Sequence, residues 1–116
     1  GFRIANKLLD KSPEVTALFA VNDMTALGAL KAIKSRGLRV PEDISLVGFD
    51  DINLAEITDP PLTTIRQPKY KMGKTSAELL ISRLEEEKSG TSGQKHLLIF
   101  SPELVTRESC QQPKNL

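Results

Sequence analysis

Two short apolar runs, each stopped by a polar pair, constrain this chain more than any other feature. Ala17-Leu18-Phe19-Ala20-Val21 ends on Asn22-Asp23, and Ile44-Ser45-Leu46-Val47-Gly48-Phe49 ends on Asp50-Asp51. Continuous apolar runs of this length suit strands covered on both faces, as in a parallel sheet. Between them the pattern is helical. Met24, Leu27, Leu30 and Ile33 recur on one side, while Lys31, Lys34 and Arg36 lie elsewhere. Gly37 supplies a stop, since glycine takes the left-handed turn after a helix at little cost. Residues 17–49 therefore predict one strand–helix–strand unit, of a length that fits a right-handed crossover.

The remaining chain is read around that unit. Phe2 to Leu9 predicts the last turns of a helix, broken at Ser12-Pro13. Asp51 to Pro61 reads as a loop, and Leu62 to Ile65 as a short β-prone segment. A helix is predicted from about Tyr70 to Lys88, with Tyr70, Gly73, Ala77, Leu80, Ile81 and Leu84 on one face. Ser89 to Gly93 has the composition of a linker. His96 to Phe100 and Glu103 to Arg107 are the last strand candidates, and residues 110–116 read as a polar, frayed tail.

The totals exclude several classes. A chain of 116 residues supports one modest domain. Sixteen basic against fifteen acidic residues leave a net charge of +1, which argues against a dedicated nucleic-acid surface. No apolar run approaches the roughly 20 residues needed to span a bilayer, so no membrane is expected. No secretory leader pattern is visible, and the lone Cys110 can form no internal disulfide; both point to the cytoplasm. The chain begins at Gly1 without a Met, which is read as a missing upstream part.

In an open parallel sheet, ligands bind beyond the carboxyl ends of the strands. Asn22-Asp23 and Asp50-Asp51 both fall there. Asn offers two donors and an acceptor, whereas an ionised Asp offers only acceptors. The combination suits a polyhydroxylated or amide-bearing ligand and repels a phosphate. Each pair also has a plain structural reading. Asn22 or Asp23 could cap the helix that follows. Asp50 and Asp51 could be turn formers bonding their own backbone. Phe49 is expected in the core. No catalytic constellation emerges. His96 is the sole histidine, Cys110 has no local His partner, and phosphate loops, nucleophile elbows and zinc spacings are missing.

The order of motifs is familiar. Thr16-Ala17-Leu18-Phe19-Ala20-Val21-Asn22-Asp23-Met24-Thr25-Ala26-Leu27-Gly28-Ala29 precedes Gly37-Leu38-Arg39-Val40-Pro41-Glu42-Asp43-Ile44-Ser45-Leu46-Val47-Gly48-Phe49-Asp50-Asp51. Pro60-Pro61-Leu62-Thr63-Thr64-Ile65-Arg66-Gln67-Pro68 follows, and then Glu103-Leu104-Val105-Thr106-Arg107-Glu108-Ser109. Over about residues 1–109 this closely resembles the C-terminal part of the effector-binding domain of bacterial LacI/GalR-family transcriptional regulators.

The resemblance implies an α/β, parallel-sheet lobe of the type I periplasmic-binding-protein fold. It implies a small effector, a sugar or nucleobase, held between two lobes, and a homodimer. DNA would be contacted only through an N-terminal headpiece absent from this chain. Residues 1–63 and 95–109 would belong to the C-terminal lobe, and the helix 70–88 would pack with the other lobe. The family's ligand contacts fall on Asn22, Asp50 and Gln67. Asp23 and Asp51 fall to structural roles, a helix cap and a loop organiser. The dimer interface falls on Met24, Leu27, Lys31, Leu54 and Thr58. Neither a cofactor nor enzymatic activity is implied.

Two other readings stay open on the residues. A solute-binding protein for sugar transport shares the fold. An enzyme or phosphoacceptor could use Asp50-Asp51 with a metal, which would need a further acid and a lysine such as Asp23 and Lys69. An uncovered apolar face at Leu80, Ile81 and Leu84 is expected to drive association.

Overall fold

The strand–helix–strand unit forms, but on shorter strands than the apolar runs suggest. The computed structural model describes residues 1–90 and 97–112. Its elements are α1 (Phe2–Lys11), β1 (Ala17–Phe19), α2 (Asp23–Ser35), β2 (Ser45–Val47), α3 (Asn53–Ile57), β3 (Thr64–Arg66), α4 (Lys69–Lys88) and β4 (Glu103–Val105). The chain divides into two units. One comprises Gly1–Arg66 and the segment from Glu103 onward; the other is Gln67–Pro102.

In the first unit β1 and β2 pair in parallel, with Leu18 opposite Leu46 and Phe19 opposite Val47. A parallel bridge from Val47 to Thr63 extends the layer, and β3 pairs antiparallel with β4, Ile65 opposite Leu104. The apolar run at 17–21 predicts a strand covered on both faces. Instead Ala17 and Phe19 are exposed, and only Leu18 and Ala20 turn toward the core. Among the described strands β1 bonds only to β2, so alternate side chains have nothing to pack against.

Helix α2 begins because Asn22 caps it. Asn22 is extended, and its Oδ1 accepts the Thr25 amide at 2.8 Å, a contact worth about 1 kcal/mol. The helix ends as the glycine at 37 predicts. Gly37 takes φ 73°, its amide returns to Lys34 O (3.0 Å), and the Leu38 amide returns to Ile33 O (3.3 Å). The buried face is Ala26, Ala29, Leu30, Ala32 and Ile33, whereas Met24 points to solvent rather than inward. Helix α1 packs on α2 through Ala5 and Leu9, and Arg36 clips the pair by bonding Asn6 and Asp10. Ile33, Leu46 and Leu62 are almost wholly buried, each contributing about 1.5–3 kcal/mol.

Three expectations need correction. The predicted loop at 51–61 contains the short helix α3, because Ala55 is buried and its amide closes on Ile52 O at 2.9 Å. The strand candidate at 96–100 forms no strand at 97–100, where three apolar residues are exposed and no ladder partner is present; His96 lies outside the described residues. The tail does not fray at Cys110. Cys110 Sγ donates to Leu46 O, the Gln111 amide donates to Ser45 Oγ, and Gln111 Nε2 donates to Glu42 O. These bonds seal the outer side of β2.

In the second unit α4 buries no residue. Lys71 Nζ sits 5.7 Å from the Phe100 ring centre. The helix starts with Lys69 and Lys71 and ends with Glu85-Glu86-Glu87, the reverse of what its dipole favours. Without a burying surface, neither packing nor charge supports it strongly.

Gly48 is small for a specific reason. A Cβ there would stand 2.1 Å from Asp23 Oδ1 and 3.0 Å from Leu62 Cδ2, both buried groups. Gly48→Ala is expected to destabilise the protein by about 3 kcal/mol, the upper range for overpacking. Urea unfolding monitored by circular dichroism checks it, and an unchanged midpoint would contradict the close approach.

Candidate functional site

The two polar pairs meet at the carboxyl ends of β1 and β2. The Ala20 amide donates to Val47 O and the Asp23 amide to Phe49 O, both at 2.8 Å. Asp23 is fully buried. Its Oδ2 accepts the Ile52 amide at 2.9 Å, and its Oδ1 accepts the Thr64 hydroxyl at 2.5 Å. A carboxylate at the first position of α2 also sits at the favourable end of the helix dipole. Asp23 was expected as the cap, but Asn22 has the extended backbone a cap requires. Asp23 is the first helical residue, and its side chain turns inward to join three segments.

Asp50 and Asp51 have φ of 111° and 50°, the left-handed region that few non-glycine residues enter. The Asp50 amide donates to Ile65 O at 2.8 Å, and its side chain is half-buried. Asp51 bridges two guanidinium groups. Arg66 Nε donates to Oδ2 at 2.6 Å, and Arg107 Nη2 donates to Oδ1 at 2.7 Å. Arg107 also donates through Nη1 to Leu62 O, and its amide donates to Thr63 Oγ1. Burial alone would push the Asp51 carboxyl up. The hydrogen bonds from Arg107 and Arg66, with their charges, outweigh burial and hold it below the ordinary carboxylate value.

Asn22 and Asp50 thus stand on neighbouring strand ends with complementary chemistry. Capping uses the Asn22 carbonyl oxygen and leaves its amide N–H groups as donors; Asp50 supplies acceptors. Gln67 is the first residue of the second unit, half-buried, with its carbonyl accepting the Lys69 amide at 2.8 Å. Met24, Lys31 and Leu54 are exposed, with Lys31 Nζ lying 5.8 Å from the Phe2 ring centre. Leu27 is half-buried. Thr58 is half-buried too, and its hydroxyl lies 3.1 Å from Ala55 O and 2.8 Å from Pro60 O.

Sequence reasoning missed Arg66, Arg107, Thr64 and Ser109 as organisers of the site. Ser109 is buried, its hydroxyl donating to Leu46 O while accepting the Thr63 amide. The legible signal was charge: each arginine closes a β-prone segment, and the Asp pair offers a carboxylate for them. Phe19 was also missed; it is 66% exposed, three residues before Asn22.

The phosphoacceptor reading loses its ligands. Asp51 is held by two arginines, and Asp23 is buried against an amide and a hydroxyl. No group of three His, Cys, Asp or Glu among the described residues is arranged to hold a metal. No helix among them is long and apolar enough to cross a membrane.

Asp51 makes the site acid-sensitive in a defined direction. Its folded-state pKa lies below the ordinary 3.8. Its stabilisation is therefore complete at neutral pH, declines as pH falls through the unfolded-state value, and is lost below the folded one. Asp51→Asn is expected to cost about 2 kcal/mol at neutral pH. The gap from the unmodified protein should shrink as urea unfolding is repeated from about pH 7 down to about pH 3; a gap constant over that range would contradict the ion pairs.

Comparison with known proteins fits this geometry. Residues 3–110 match the periplasmic binding protein-like domain family. The HTH-type transcriptional regulator MalR of Clostridium butyricum is 48% identical over 110 residues, covering 95% of this chain and 31% of its own length. The HTH-type transcriptional repressor PurR of Aliivibrio salmonicida (strain LFI1238) is 45% identical over 103 residues, covering 89% of this chain and 30% of its own. The structure superposes on the transcriptional regulator CelR–cellobiose complex with a TM-score of 0.86 at 38% identity, over 93% of this chain and 32% of that one. For the lac repressor dimer bound to operator and the anti-inducer ONPF, the TM-score is 0.78 at 37% identity, over 96% of this chain and 37% of that one. The chain spans about a third of the length of the curated relatives it matches, and these relatives are transcription regulators rather than transport proteins. With parallel strands ending in the Asn22 and Asp50 turns, the chain belongs to the periplasmic binding protein-like domain family and is similar to that part of LacI-type transcriptional regulators.

Proposed function

We propose that this chain is the effector-sensing and dimerisation part of a cytoplasmic LacI-type regulator, and not an enzyme. The observation that carries the reading is the pairing of an amide donor, Asn22, with a carboxylate acceptor, Asp50, on adjacent parallel strand ends. Such a pair bonds neighbouring hydroxyls of a sugar, or the polar edge of a nucleobase. The exposed Phe19 ring offers a flat apolar face of the kind such rings pack on. Relatives solved with cellobiose and with lactose make the sugar class the first to try. The apolar face of α4, at Leu80, Ile81 and Leu84, packs with the other lobe of the intact regulator. The ligand shifts the balance between lobe arrangements, and a DNA-binding headpiece elsewhere in that regulator reports it.

The interface between copies uses the exposed apolar residues of α2 and α3: Met24, Leu54 and Ile57. Leu27 and Thr58 support that surface from beneath, and Lys31 borders it.

Two measurements test this reading. In the intact regulator, Asp50→Ala should weaken binding of the sugar or purine that the unmodified protein takes by roughly 10- to 100-fold in calorimetric titration. Equal affinity would remove Asp50 from the site. Ile57→Glu should raise the dimer dissociation constant by at least about tenfold, because it buries a charge in an apolar contact. Sedimentation equilibrium reads this directly, and an unchanged dimer would place the interface elsewhere.

A further inference from the structure

We propose that Asp51 is a positioning residue: it clamps the two stretches by which the chain leaves and re-enters the first unit to the turn that presents Asp50. The proposal deepens the effector-site reading and rests on it. Arg66 is the last residue before the chain passes to the second unit, and Glu103 is the first after it returns. Arg66 reaches Asp51 from the outgoing strand β3, and Arg107 reaches it just beyond the returning strand β4. One carboxylate therefore holds both passages, one oxygen to each. Its neighbour Asp50 is tied to the same place, since the Asp50 amide bonds Ile65 O, next to Arg66.

The backbone supports the assignment. Two successive aspartates with φ of 111° and 50° are strained, and such conformations persist only where the surroundings over-determine them. The paired arginines supply that restraint. The two arms are unequal. Arg107 is largely buried, at 15% side-chain exposure, and is locked by its second bond to Leu62 O. Arg66 is 50% exposed and has an alternative acceptor in Glu103 at 3.5 Å, with Glu56 on α3 adding to its field. Arg107 is thus the anchor and Arg66 the arm that a movement of the crossing releases. Release frees Ile65 and with it the Asp50 amide. By reciprocity, a ligand held by Asp50 strengthens the clamp and an intact clamp strengthens ligand binding.

Hydrogen exchange in the intact regulator tests this without needing the ligand. Arg66→Gln and Asp51→Asn should each speed exchange of the Asp50 amide roughly tenfold. The double variant should be no faster than Asp51→Asn alone, because Asp51→Asn already removes the ion pair that Arg66→Gln removes. Arg66→Lys should recover part of the protection, since it keeps the charge but not the fork. Amides in the middle of α2, at Ala29 and Leu30, should change much less. Arg66 is half-exposed, so its variants retain the fold even if Asp51→Asn does not. Unchanged Asp50 exchange in Arg66→Gln, or a rise in step with the α2 amides, would overturn the clamp. Titration of Asp50→Ala with cellobiose, lactose and adenine addresses the ligand role separately. Equal binding there overturns the functional half of the proposal while leaving the exchange result standing.

Discussion

The buried carboxylate of Asp23 is the interaction on which the site depends. It lies at the first position of α2 and takes one hydrogen bond from the turn after β2 and another from β3. Three segments distant in sequence are thereby fixed to one group. The arrangement also dictates its surroundings. Gly48 must lack a side chain because the carboxylate occupies the space, and Thr64 is buried because its hydroxyl is needed there. Removing the carboxylate would strand an amide and a hydroxyl in the interior, which is costlier than the bonds themselves.

With Asp23 committed to structure, the division of labour among the polar residues follows. Asn22 caps the helix through its oxygen, and its amide N–H groups are the donors we propose for a ligand. Asp51 is held by two arginines, and Asp50 is the carboxylate of the pair that we propose for the ligand. A strained turn at that point is consistent with a site whose geometry is set in advance, so that ordering costs fall on folding rather than on binding.

Much of the frame was legible beforehand. The apolar runs at 17–21 and 44–49 marked the parallel strands, and the spacing of Leu27, Leu30 and Ile33 marked α2, because periodicity reflects which side chains must leave water. The stop at Gly37 was readable because only a few residues take its φ cheaply. Other features were not. The helix α3 hides in a segment whose only strong anchor is Ala55, and its reason to fold is contact with the rest of the unit. The exposure of Phe19 and Met24 was invisible, since an apolar residue looks the same in a run whether it meets a core or water.

By itself, the sequence determined the strand–helix–strand order over residues 17–49, the helices α1 and α4, and the placing of Asn22-Asp23 and Asp50-Asp51 at strand ends. These follow from local propensity and hydrophobic period, which act within a few residues. Tertiary structure alone decided which member of each pair does what. Asp23 turns inward because Ile52 and Thr64 present donors there, and Asp51 is claimed because Arg66 and Arg107 arrive from chain positions 15 and 56 residues away. Adjacent aspartates are chemically identical; only partners brought together by the fold can tell them apart.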